Sequence, residues 1–258
     1  MKKQKTKIGI ALSGGGALGI AHLGVLQALE ENGIIPDEIS GTSMGALVGV
    51  LYAAGTSPLE ILREIKRRKI YRIVSWKLPS NGFFEMGKVE SILKEFVGDQ
   101  DFKSLNKRFY CAVTNLNSGE YEVISEGQLI PYVLASASIP LLFEPQVVNE
   151  QTYVDGGLLN NLPVEPLVGK VDVLIGVHVT HVGQIDGIRG MKQISERCLR
   201  IVIGQSSQSK LELCHFLLEP EKLDGYSPMD FAKADEIYQI GYNETKMQME
   251  EIQRLCHK

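Results

Sequence analysis

The sequence predicts an α/β domain in three layers, with helices over both faces of a mainly parallel central sheet. Two strand-loop-helix units stand in tandem at the start, each running from a short apolar segment through a glycine-flanked loop into an apolar helix. Further on, Val171 to Val179 is a nearly unbroken apolar run, as in a strand covered on both faces. In such a sheet the reactive loops are expected at the carboxyl ends of strands.

The first strand, Lys7-Ile8-Gly9-Ile10-Ala11-Leu12, leads through Ser13-Gly14-Gly15-Gly16-Ala17-Leu18-Gly19 into a helix ending near Gly33. Three consecutive glycines leave backbone N–H groups open to a ligand, as in an oxyanion hole or a phosphate cradle. Gly14, Gly16 and Gly19 also fall in the G-x-G-x-x-G positions of a dinucleotide fingerprint. That fingerprint wants an acid at the far end of the second strand, whereas Asp37 and Glu38 stand at its beginning. The placement weakens the dinucleotide reading and leaves it open. A Walker A loop fails sooner, because Ile20 and Ala21 follow Gly19 where Lys and Ser/Thr are required.

The second strand, around Glu38-Ile39-Ser40, runs into Gly41-Thr42-Ser43-Met44-Gly45 and then a buried helix from Ala46 to Ala54. A serine between glycines at a strand-to-helix turn has the pattern of a nucleophile elbow, with the positive end of the helix aimed at any anion formed beside it. The plainer reading is a tight turn whose serine caps the helix.

A helix is expected from Ser57 to Lys69, irregular chain to Met86, and a helix to about Val97. Arg63, Lys66, Arg67, Arg68 and Lys69 precede Trp76, the only tryptophan, with Phe83 and Phe84 nearby. This composition suits a lid that makes transient peripheral contact with a membrane. A solvated helix face beside core aromatics is the favoured account. Phe109–Asn115 and Glu120–Ile124 read as strands with Asn117-Ser118-Gly119 turning between them, and Gln128–Ser138 as a helix. Tyr153-Val154-Asp155-Gly156-Gly157 sets a carboxylate at the end of a short apolar run. A helix from about Met191 to Leu211, a strand near Phe216-Leu217-Leu218 and a long helix from Pro228 to Arg254 complete one domain over residues 1–258. Its motifs lie within about residues 8–180, and residues 181–258 finish the layers.

A serine hydroxyl needs a base to become a nucleophile. None of the five histidines, His22, His178, His181, His215 and His257, lies in a glycine-flanked loop. Ser43, Asp155 and His178 follow the chain order of an α/β-hydrolase triad, yet only two strands precede Ser43. A dyad of Ser43 and Asp155 is the better reading. His178 and His181, with His215, suggest a metal site, but three residues apart on a strand they would point to opposite faces. No acidic-His pattern completes such a site, so no metal and no cofactor are expected.

The remaining composition narrows the class. With 258 residues, 44% of them hydrophobic, the chain can bury a substantial core. A formal net charge of -4 gives no global attraction to nucleic acid. Cys111, Cys198, Cys214 and Cys256 form no C-x-x-C pair and read as free thiols in a reducing cytoplasm. The lysines at positions 2, 3, 5 and 7 read as a solvated lead-in, because the apolar run after them breaks at once at Ser13-Gly14. No apolar stretch approaches a membrane span.

Four blocks in order carry a resemblance. They are the Gly14–Gly19 loop, Gly41-Thr42-Ser43-Met44-Gly45, Ala135-Ser136-Ala137-Ser138-Ile139-Pro140 with Phe143 and Pro145, and Asp155-Gly156-Gly157 with Leu162-Pro163-Val164. Over roughly its first two thirds the chain resembles the bacterial patatin-like phospholipases. The resemblance implies a lipid acyl hydrolase with Ser43 as nucleophile, Asp155 as general base, and the N–H groups of Gly14, Gly15 and Gly16 as the oxyanion hole. Its implied partner is a lipid or other acyl ester. Many family members carry arginine where this chain has Leu18, which removes one contact for a phosphorylated head group. A nucleotide-binding protein built on Gly14–Gly19 and a catalytically silent lipid-binding regulator are the competing readings. The sequence leaves the acyl chain, head group and oligomeric state open.

Overall fold

The computed structural model describes residues 5–68, 86–184 and 187–256. The segment with Lys69, Trp76, Phe83 and Phe84 lies outside the described residues, as do Lys2 and Lys3.

The tandem units form as the apolar periodicity requires. Strand β1 (Ile8–Leu12) is followed by a short 3-10 turn and helix α1 (Ala21–Glu31), and β2 (Glu38–Gly41) by α2 (Met44–Ala53). Helix α3 (Pro58–Arg67) begins at Ser57, whose hydroxyl accepts the Glu60 amide, and proline occupies its first turn, where no N–H is needed. The chain continues through α4 (Gly87–Val97), β3 (Arg108–Asn115), β4 (Tyr121–Ile124) and α5 (Leu129–Ser136). It then runs through β5 (Gln146–Val148), β6 (Gln151–Asp155), β7 (Val173–Val177), α6 (Gly190–Gln208) and β8 (Phe216–Leu218). Helices α7 (Ala234–Met247) and α8 (Met249–Cys256) close it.

Among the described residues eight strands join one sheet, in the order β5-β6-β3-β2-β1-β7-β8 with β4 paired to β3. The stretch β3-β2-β1-β7-β8 is parallel, while the pairs β3-β4, β3-β6 and β6-β5 are antiparallel. The alternation of β1 divides the core. Ile8, Ile10 and Leu12 face the large cluster under α1, α2 and α7. Ala11 faces a smaller one with Tyr110, Leu162, Val164, Leu167 and Leu174. Helix α7 crosses α1 where neither Gly24 nor Gly241 has room for a Cβ, each backbone lying against the other helix.

Register decides the position of the site. Cys111 of β3 pairs at once with Gly41 and Ile124, and Val113 pairs at once with Asp155 and Glu122. A residue has two edges, so β4 takes one edge of β3, and β2 and β6 share the other end to end. The carboxyl end of β2 therefore meets the carboxyl end of β6, which brings Ser43 to Asp155.

Three expectations need correction. The strand expected through Val179 ends at Val177, so His178 and His181 lie beyond the sheet's alternation. The long C-terminal helix is two helices broken at Gln248, which leaves Met247 largely exposed while Ile237 and Ile252 are buried. Two short strands pair antiparallel ahead of Asp155, where only an apolar run was legible. Three basic residues on or just after α3 are ion-paired: Arg67 and Arg68 with Glu64, Arg68 also with Glu95, and Lys66 with Asp235.

Candidate active site

Ser43 sits between β2 and α2 with φ 54 and ψ -123, a backbone conformation that costs a non-glycine residue about 1–3 kcal/mol. The surroundings hold it there. Thr42 donates its hydroxyl to the Asn160 carbonyl at 2.8 Å, and the Ser43 amide donates to Ser136 Oγ at 3.0 Å. The next turn lies so close to β1 that a Cβ on Gly45 would stand 2.2 Å from the Leu12 carbonyl oxygen. The glycine after the serine is thus a packing requirement of the elbow.

Asp155 ends β6 and is 2% exposed. Its amide donates to the Ser138 carbonyl at 2.9 Å, and its carboxylate accepts the Gly157 amide at 2.7 Å. Burial pushes its pKa up to about 7, against the opposing pull of hydrogen bonds from the Ser43 hydroxyl and the Gly157 amide. The end of α5 grips both residues, Ser136 through the backbone of Ser43 and Ser138 through that of Asp155.

The glycine loop lies directly over the serine. A Cβ on Gly14 would stand 3.1 Å from Ser43 Cβ and 2.5 Å from Asn161 Oδ1. The Gly14 amide is spent on the Asn161 carbonyl at 3.2 Å. The Ala17 amide, at the start of the following turn, is spent on the Pro228 carbonyl at 2.8 Å. Pro228 thereby covers the helix start that a dinucleotide phosphate would need. Leu18 is buried in the core.

Among the described residues, none of His22, His178, His181 and His215 is hydrogen-bonded to Ser43 or Asp155, and His257 lies outside them. The ring of His178 contacts Glu219 through Nδ1 (2.9 Å) and Ser207 through Nε2 (3.0 Å), which leaves no nitrogen for an α/β-hydrolase triad. His22 Nε2 meets the Ser13 carbonyl at 2.8 Å, and complete burial lowers its pKa to about 4. His215 Nδ1 accepts the Leu174 amide and does not join His178 and His181.

Asn161 is the site residue that sequence reasoning missed. Its amide donates to Ser206 Oγ at 3.1 Å, its carbonyl holds Gly14, and its Oδ1 lies against the turn at Gly157. The side chain is 1% exposed, yet Nδ2 has no hydrogen-bond partner, a costly state for a buried donor. Two asparagines in succession inside an otherwise apolar stretch, six residues past Asp155, were the available signal.

The sequence profile of the patatin-like phospholipases matches residues 10–168. Lysophospholipase nte1 of Aspergillus niger is 30% identical over 281 residues, covering 96% of this chain and 18% of the relative. Lysophospholipase NTE1 of Candida glabrata is 32% identical over 271 residues, covering 91% of this chain and 15% of the relative. This chain thus spans less than a fifth of the length of these relatives. VipD from Legionella pneumophila, at 16% identity, superposes with a TM-score of 0.54 over 96% of this chain and 67% of its own, which shows a shared fold. With the family's profile matching more than half its length, this chain belongs to the patatin-like phospholipase family.

Proposed function

We propose that this chain is a serine-dependent lipid acyl hydrolase in which Ser43 attacks the ester and Asp155 is its only base. The supporting observation is the pairing itself: an elbow serine held at positive φ, engaged with a buried carboxylate whose pKa stands near 7. Asp155 takes the Ser43 proton as the serine oxygen bonds to the ester carbonyl carbon. The carbonyl electron pair moves onto its oxygen and is held by the amides of Gly15 and Gly16, with help from the start of α2. Return of that pair expels the alcohol, which leaves with the proton from Asp155. Water repeats the sequence on the acyl-serine, and the fatty acid departs as Ser43 recovers its proton.

The orphan amide of Asn161 fits the role of a further donor to the oxyanion. Asn161→Ala keeps both backbone bonds of that residue and removes only the side chain. It is expected to lower kcat by about 100- to 1,000-fold with KM little changed, measured on a soluble p-nitrophenyl ester. An effect on KM alone would make the side chain a packing element.

Lipid as the substrate class is supported by the relatives, which are lysophospholipases by name, and by α6. Met191, Ile194, Cys198 and Ile201 follow one another along one exposed face of that helix. Ser206 Oγ, near the carboxyl end of the same helix, donates to the Gly157 carbonyl at 3.0 Å, which ties α6 to the turn after Asp155. No helix among the described residues is long and apolar enough to cross a membrane. Met191→Glu with Ile194→Glu is expected to reduce hydrolysis of vesicle-borne lysophospholipid at least about tenfold, by removing apolar contact with the bilayer. A soluble short-chain ester should be turned over as before, and an equal loss on both substrates would separate α6 from lipid access. The reading as a whole is tested by fluorophosphonate labelling and by release of p-nitrophenol from esters of graded chain length. A folded protein that neither labels nor turns over would be a silent lipid binder.

A further inference from the structure

We infer that His178, His181 and Glu219 form a binding site for a divalent transition-metal ion of the zinc type, separate from the proposed catalytic pair. His178 Nδ1, His181 Nε2 and a Glu219 carboxylate oxygen lie within 4.8 Å of one another. Glu219 Oε1 is 2.9 Å from the first nitrogen and 3.5 Å from the second. A tetrahedral ion with bonds of about 2.0–2.1 Å to nitrogen and oxygen needs ligand atoms at about this spacing.

Proton accounting supports a cation there. Ser207 Oγ lies 3.0 Å from both His178 Nε2 and the Gly204 carbonyl, so with its proton on Gly204 it can accept from Nε2–H once Nδ1 ligates an ion. The Nδ1 of His181 faces Asp224 Oδ1 at 3.2 Å, and a carboxylate can only accept, so that nitrogen carries the ring's proton. A neutral imidazole has one N–H. His181 Nε2 is thus a lone pair aimed at Glu219 Oε1, the atom that His178 Nδ1 also meets, and a metal ion would take the place of the single proton shared at that oxygen. Ser207 and Asp224 then act as the outer partners that orient ligating imidazoles.

Access and anchoring suit an ion of this kind. The side chains of His181 and Glu219 are 30% and 33% exposed, which leaves solvent a path to a fourth coordination position. The same segment is tied to the glycine loop: the Val179 amide donates to Ser13 Oγ at 3.0 Å, and Thr180 Oγ1 donates to the Gly14 carbonyl at 2.7 Å. An ion joining the chain after β7 to the chain after β8 would brace that loop from behind.

The test is calorimetric titration of ZnCl2 into chelator-treated, chelator-free protein, with thermal unfolding in parallel. One equivalent is expected to bind, and Tm to rise by several degrees at saturation. Cobalt(II) in place of zinc should show the visible bands of a tetrahedral site. His181→Gln and Glu219→Gln, both partly exposed, should abolish binding, and Asp224→Asn should weaken it by about 10- to 100-fold. Absence of stoichiometric binding by the folded wild type would overturn the assignment. Binding that survives both ligand substitutions would overturn it equally.

Discussion

Ser43→Ala is expected to reduce acyl-ester turnover by at least about ten-thousand-fold, the scale seen when the nucleophile of an acyl-enzyme mechanism is removed. The protein should remain folded. The hydroxyl is buried and contributes one hydrogen bond to Asp155, whereas the elbow is held by the Ser136 bond to the Ser43 amide, the Thr42 bond to Asn160, and the contact of Gly45 with β1. Alanine meets the same cost at φ 54 as serine, so stability should change by no more than about 1–3 kcal/mol, the range for one lost buried hydrogen bond. Fluorophosphonate labelling of wild type should disappear in the variant, with circular dichroism unchanged. Retained turnover in a folded Ser43→Ala protein would move the nucleophile elsewhere.

Asp155→Asn should also lower turnover by about ten-thousand-fold, since among the described residues no histidine stands ready to take over as base. Its second effect has the opposite sign. The folded-state pKa of Asp155 is raised from 3.8 to about 7. Between those two pH values the folded protein holds a proton that the unfolded chain has released, so stability falls as pH rises through that window. Below pH 4 both states are protonated and the penalty is absent. Above pH 7 the buried carboxylate is ionised in the folded protein, and the penalty reaches on the order of 4 kcal/mol as an upper bound. Asparagine keeps an oxygen for the Gly157 amide and carries no charge. The variant should therefore unfold at higher urea than wild type at pH 8, with the two midpoints converging toward pH 4. The same ionisation governs catalysis: kcat/KM of wild type should rise with pH along an acid limb of apparent pKa about 7, because only the anion can take the serine proton. A stability gain independent of pH, or an acid limb near pH 4, would show that Asp155 titrates as an ordinary carboxylate.

Both predictions turn on a residue pair that motif order and family resemblance named as a dyad, while the route by which the two meet in space lies in the sheet. The elbow at Ser43 is written locally, since glycines on either side of a serine at the end of an apolar run admit few backbone paths. The loop at Gly14–Gly16 is local in the same way. Asp155 drew notice as a carboxylate beside glycines, but its distance from Ser43 depends on β6 sharing an edge of β3 with β2. That arrangement joins residues more than a hundred positions apart, and no period or propensity encodes it.

Other features fell on the tertiary side for related reasons. Ser136 and Ser138 stood in a family block without a stated task, and only contact shows them holding the backbones of Ser43 and Asp155. Asn161 reads as one more polar residue until its unpartnered Nδ2 is found buried beside the serine. His178 and His181 were set on opposite faces of an extended strand. Termination of β7 at Val177 frees the following chain to turn, and the rings stand 5.5 Å apart on Glu219. By itself, then, the sequence determined the layered α/β class, the elbow, the glycine loop and the family resemblance, because each is encoded in residues adjacent along the chain. Tertiary structure alone decided how strands bring serine and aspartate together, the burial that raises the pKa of Asp155, and the histidine-glutamate cluster. Those depend on which distant backbone pairs with which, and on how much water that pairing excludes.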